Sequence, residues 1–209
     1  MFLSDELIAT CQQRMEPFDC EGFLYGRGSL NPRIMFVGEA PGETEIHNGI
    51  PFSGRAGKEF DRYLTYLNLD RNDVYITSAV RSRPFKWKRS SQNILRKYNR
   101  TPNQKEIAAH APILDAEIKH TAPPVIAPMG RIAYWRLLGT SPRMQEVTGI
   151  PITSPIRYLA DWENNMYQFS EKAFTIIPIY HPAAILYNRR LEPSVFAHLD
   201  VIKQYIEGK

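Results

Sequence analysis

Five glycines fall within twenty residues, Gly38, Gly42, Gly49, Gly54 and Gly57, directly after the apolar run Arg33 to Val37. Backbone freedom concentrated at the end of a buried strand fits an open α/β sheet, whose loops at the carboxyl edge approach ligands closely. It is not a phosphate loop. No Gly-Lys-Ser/Thr follows and no G-x-G-x-x-G is present. A second marker stands past another apolar run, Phe174 to Tyr180, where His181-Pro182 begins a new segment. Of the five histidines (His47, His110, His120, His181, His198), only His181 lies just beyond an apolar strand and before a proline that fixes the turn. Alone, either segment would be read as a structural turn. Facing one another across a sheet edge, they make a candidate pocket.

The remaining pattern supplies that sheet. Ser4 caps a first helix with Asp5 and Glu6 in its first turn. Strands follow at Arg33 to Val37, Val74 to Val80, Pro124 to Pro128 and Phe174 to Tyr180. Helices are read at Gly57 to Leu67, from Thr101-Pro102-Asn103-Gln104, with Thr101 as cap, Pro102 at the first position and Gln104 completing a capping box, to about His120, at Arg131 to Leu138 with Gly139 as terminator, and at Pro193 to Ile206. Residues 140 to 172 show no clear period and read as loops with one short strand at most. The alternation implies a three-layer α/β/α fold around a central, mostly parallel four-stranded sheet, in a single domain over residues 1–209.

Charge is local in this chain. Between Arg81 and Arg100 there are eight basic residues and no acidic one, so on a chain of net charge +4 the other 189 residues carry −4. Phe85, Trp87 and Tyr98 lie among those charges and could stack on bases while the cations meet phosphates. The same composition also suits a solvated surface loop. No apolar run approaches the roughly 20 residues of a membrane span, and Asp5 and Glu6 stand where a signal peptide would be basic. A cytoplasmic protein without membrane association, and a monomer, is expected.

Taken together and in order, Gly38 to Gly57, Tyr75 to Pro84, Asn99 to Pro102, Val125 to Leu138 and His181 to Leu186 resemble the uracil-DNA glycosylase superfamily, in particular its family 4. The resemblance covers most of residues 33 to 203. It implies that Gly38, Ala40, Pro41 and Gly42 line a base pocket and that Phe52 stacks on a flipped base. His181 would meet the carbonyl oxygen where charge develops, and Glu45 would border the base or order the water. The segment with Ala183, Ala184, Ile185, Leu186, Asn188 and Arg189 would enter the minor groove. Ala40 occupies the place of a catalytic aspartate in the most active branch, which leaves Glu39 or Glu45 to activate water.

Two departures from family 4 stand out. That family holds an iron–sulfur cluster on four cysteines, whereas this chain has only Cys11 and Cys20, with Ser82 at one ligand position, so no cluster, other cofactor or metal is expected. An apparent basic insertion at about 85–98 occupies the corresponding region, making Arg81, Lys86, Trp87, Lys88 and Arg89 candidate DNA contacts. Ser78 stands where the family has the asparagine that reads uracil through two hydrogen bonds, and one hydroxyl cannot reproduce that pattern. The function expected is a monofunctional N-glycosylase of DNA base-excision repair, acting on flipped uracil or a related deaminated base. The alternative is a catalytically weak or inactive glycosylase-like protein that binds DNA or a nucleobase.

Overall fold

The computed structural model describes residues 2–208. In chain order the elements are α1 (Asp5–Met15), β1 (Cys20–Glu21), β2 (Arg27–Gly28), β3 (Ile34–Gly38), α2 (Glu43–Asn48), α3 (Arg55–Tyr66), β4 (Val74–Ser78), β5 (Arg83–Arg89), β6 (Leu95–Asn99), α4 (Gln104–Thr121), β7 (Val125–Pro128), α5 (Arg131–Leu138), β8 (Ile152–Asp161), β9 (Met166–Ile176), α6 (Ala183–Tyr187) and α7 (Glu192–Glu207). The main sheet runs β2-β4-β3-β7-β9-β8. Its four central strands are parallel, as the alternating pattern implies, and β2 and β8 add an antiparallel edge on each side.

β3, β4 and β7 are buried along their whole length because both of their faces are covered. Ile34 and Phe36 of β3 turn to one side, where Phe60, Tyr63 and Leu64 of α3 meet Val195, Leu199 and Ile202 of α7. Met35 and Val37 turn to the other, against Leu114 and Ile118 of α4 and Ala133 and Leu137 of α5. This period-2 split of one strand between two cores is what makes three layers. α1 packs outside α4 through Ile8, Cys11 and Ile113.

Three expectations are corrected. Residues 140 to 172 are not mainly loop: β8 and β9 form a long antiparallel hairpin with register shifts between Pro155 and Arg157 and between Leu159 and Asp161. Its half-exposed edge strand carries no strong apolar period, and Pro155 is tolerated at an edge. The cap of α4 is Asn103, not Thr101. Its Oδ1 accepts from Glu106 N–H at 3.0 Å while the Glu106 carboxylate accepts from Asn103 N–H at 2.7 Å, a box shifted two residues from the one read in sequence. The basic stretch is a regular hairpin of β5 and β6, and β1 extends it to a three-stranded sheet.

Candidate functional site

The carboxyl ends of β3 and β4 and the segment after β9 converge on a cavity of about 370 Å³. Its wall includes Gly38, Ala40, Pro41, Gly42, Phe52, Ser78 and His181, so both marked loops reach one space. Gly38 leaves room for the ring: a Cβ there would lie 3.0 Å from Phe52, which would have to shift by a few tenths of an ångström. Phe52 adopts a left-handed φ of 51°, unusual for a bulky residue, and a Cβ on Gly57 would meet its carbonyl at 2.0 Å. Arg71 holds that geometry by donating to the Pro51 and Phe52 carbonyls, both at 2.7 Å. The Phe52 ring is thereby fixed 4.9 Å from Phe60 and 5.5 Å from the His181 ring. Arg71 carried no signal in the sequence, because its partners lie about twenty residues away.

The two carboxylates nominated as water activators part company. Glu45 lines the cavity, but its oxygens accept backbone N–H groups from Gly42 (3.1 Å), Ser53 (3.2 Å) and Gly54 (2.9 Å). Three charge-assisted bonds fasten both ends of the glycine loop to α2. Glu39 lies outside the cavity lining. Burial pushes its carboxyl above the usual range, opposed by Thr101 and Arg131.

His181 is held in one protonation state. Burial lowers its pKa to about 4 despite the nearby negative charge of Glu45, so the imidazole is neutral at ordinary pH. Its Nδ1 accepts from the Ala183 N–H at 3.2 Å, which places the ring proton on Nε2.

Two of the polar side chains lining the cavity are fixed by hydrogen bonds that leave a defined group free. The Ser78 hydroxyl donates to the Val80 carbonyl at 2.8 Å. Asn99, at the end of β6, also lines the cavity, and its Oδ1 accepts from Arg83 Nε at 2.6 Å. Sequence reasoning treated Asn99 only as part of a matching segment. Its approach to the pocket depends on the hairpin folding back.

Two nominated DNA contacts are corrected. Arg81 is 1% exposed and paired with the buried Glu117, so it is a core residue. Ile185 is also 1% exposed and anchors α6 in the core beneath Ala184 and Leu186. Tyr187, not singled out from sequence, is 90% exposed at the cavity mouth beside Asn188 and Arg189. On the hairpin, cross-strand pairing puts Phe85, Trp87 and Arg89 on one face with Leu95, Lys97 and Asn99. The Lys97 ammonium lies 4.2 Å over the Phe85 ring and pairs with Glu21. Lys86, Lys88, Arg96 and Tyr98 share the opposite face, where the three cations are exposed and have no acidic partner among the described residues.

The residues present do not fit a four-thiolate cluster. Cys11 packs against Ile113, and burial pushes its thiol up to about 11. Cys20 lies 3.6 Å from Glu106, and burial together with that carboxylate pushes it to about 12. Cluster ligands must be thiolates, which both environments disfavour.

A profile of the Uracil DNA glycosylase superfamily matches residues 25–205. The chain is 35% identical to the type-4 uracil-DNA glycosylase of Sulfurisphaera tokodaii over 167 residues, covering 79% of this chain and 66% of that protein. It is 33% identical to that of Saccharolobus solfataricus over 186 residues, 88% of this chain and 76% of the relative. The type-4 enzyme of Thermotoga maritima matches at 30% over 217 residues, 99% and 98% of the two chains.

Proposed function

The chain belongs to the uracil DNA glycosylase superfamily, and from that premise we propose that it is a monofunctional, single-domain glycosylase that hydrolyses the N-glycosidic bond of a flipped uracil or related deaminated base in DNA. The observation that carries this reading is the neutral His181, locked as the Nε2–H tautomer beside the fixed Phe52 ring. As the bond from C1′ to the base nitrogen breaks, its electron pair moves onto the leaving base and charge grows on the O2 carbonyl. A neutral N–H donor aimed there stabilises that charge without first giving up a proton. The sugar becomes cation-like, and water adds at C1′ to leave an abasic site. Phe52 stacks on the extruded base, repaying part of its unstacking. Glu45 acts as the positioning residue that shapes the loop.

Release of base from uracil- or hypoxanthine-containing oligonucleotides, followed by alkaline cleavage at abasic sites, tests the proposal; a folded protein that yields no product sinks it. With His181 titrating near 4, single-turnover rates should stay level from pH 8 to about pH 5 and fall only as pH nears 4, where the imidazole becomes charged. An acid limb centred near 6.5 would contradict the neutral-donor assignment. A second reading, DNA binding without base release, draws on Glu39 lying off the cavity and Glu45 being committed to backbone. The same assay decides between them.

The hairpin face with Lys86, Lys88 and Arg96 is proposed to contact DNA phosphates. Replacing all three with alanine should weaken DNA binding about equally for every sequence. It should also flatten the plot of log affinity against log salt by about 2 to 3 units, one phosphate per cation. An unchanged slope removes the hairpin from the DNA interface.

A further inference from the structure

Resting on the base-excision reading above, we propose that the Watson–Crick edge of the base is read by two side chains, an acceptor from Ser78 and a donor from Asn99. The site then takes bases with a lactam edge, a carbonyl next to a ring N–H, and refuses amino–imino edges.

The polarity of each group follows from what it has already spent. Ser78 gives its only proton to the Val80 carbonyl, so the hydroxyl oxygen offers lone pairs alone to the cavity. Asn99 has its carbonyl oxygen taken by Arg83 Nε. Arg83 is 3% exposed and is itself held by Glu21 at 2.6 Å, so turning the amide over would set an NH2 against a fixed guanidinium. The NH2 therefore faces the loop, with Nδ2 3.3 Å from the position a Cβ on Gly42 would take. Glycine at 42 leaves room for that amide beside the cavity.

Uracil presents N3–H and O4, and hypoxanthine N1–H and O6: in each, a donor for Ser78 and an acceptor for Asn99. Cytosine and adenine present the reverse and would leave both protein groups facing their own kind. The ion pairs of Arg83 and Lys97 with Glu21, in the region where the family's cluster loop would lie, thus set the orientation of a specificity residue.

The test uses the full chain, single-stranded oligonucleotides carrying uracil, hypoxanthine or cytosine, and free uracil and cytosine titrated by NMR. Asn99→Asp is nearly isosteric, keeps an acceptor for Arg83 and replaces the donor with a charged acceptor that repels the base carbonyl. It should lower kcat/KM for uracil by about 10- to 100-fold and weaken free-uracil binding to a similar degree. Ser78→Ala should lose about 10-fold. In the Ser78→Asn/Asn99→Asp double variant one carboxamide supplies both groups, and most of the uracil activity should return. Uracil release and binding by Asn99→Asp equal to those of the unaltered protein overturn the split reading and leave the glycosylase reading intact. If the unaltered protein binds uracil over cytosine without releasing it, excision fails, and loss of that preference in Asn99→Asp still supports the split reading. Absence of both release and binding overturns the two together.

Discussion

Replacing His181 with alanine is expected to slow base release by about 100- to 1,000-fold, the cost of one pre-aimed donor at a developing oxyanion. The ring is a neutral N–H donor lining the cavity, and the fold fixes it by its other nitrogen, through the Ala183 N–H on Nδ1. Phe52 limits its swing from the side, 5.5 Å between centroids. His181→Gln retains an N–H on a longer, unbraced stem and should fall between alanine and the unaltered protein. The loss should appear in single-turnover rates, with uracil affinity changed far less, because the charge being stabilised exists only as the bond breaks. A variant within threefold of the unaltered rate would remove His181 from the chemistry.

How much of this was legible beforehand depended on how local each signal was. The strand Ile34–Gly38 was readable because burial on both faces leaves a continuous apolar run. Gly139 was readable as a helix terminator because a left-handed φ of 77° rewards glycine specifically. Ser4 bonds Leu7 N–H within its own turn. By contrast, β8 and β9 alternate through half-exposed positions such as Tyr158 and Phe169, and only pairing with one another defines them. The capping box at α4 reads in sequence as Thr101 and Gln104, two residues before the Asn103 and Glu106 pair that forms it. Glu106 prevails because Arg100 pairs with it as well.

The site divides the same way. Gly38 and His181 announce themselves by residue type beside a strand end and Phe52 through the family resemblance, and all three reach one cavity. Arg71, Arg83 and Asn99 act only through contacts that the fold creates. Arg81 was misjudged because a count of basic residues says nothing of Glu117, which comes to meet it from the middle of α4.

That pair supports the largest stability effect in the molecule. Arg81 is 1% exposed and Glu117 fully buried, with Thr77 and Tyr75 hydroxyls also donating to the carboxylate, at 2.6 and 3.2 Å. Arg81→Met leaves the carboxylate in the core without its cation and should cost about 3–5 kcal/mol. For a chain of 209 residues that is a fall in Tm of roughly 6–20 °C. The interaction itself is worth less than its rupture. Arg81 Nε is buried without a partner among the described residues, so part of the cation's desolvation is never recovered. Adding Glu117→Gln to Arg81→Met removes the stranded charge, keeps a carbonyl for one of the Thr77 and Tyr75 hydroxyls and lets the other accept from the new NH2, and should restore most of the lost Tm. If the double variant melts no higher than Arg81→Met alone, charge burial is not the cause. Ser78 directly follows Thr77 at the end of β4, and Thr77, Ser78 and Arg81 all line the cavity, so the network also shapes the proposed base pocket. Uracil release at a temperature where circular dichroism shows both variants folded separates the two roles: recovery of Tm without recovery of rate would show that the ion pair positions Ser78 rather than merely holding the strand.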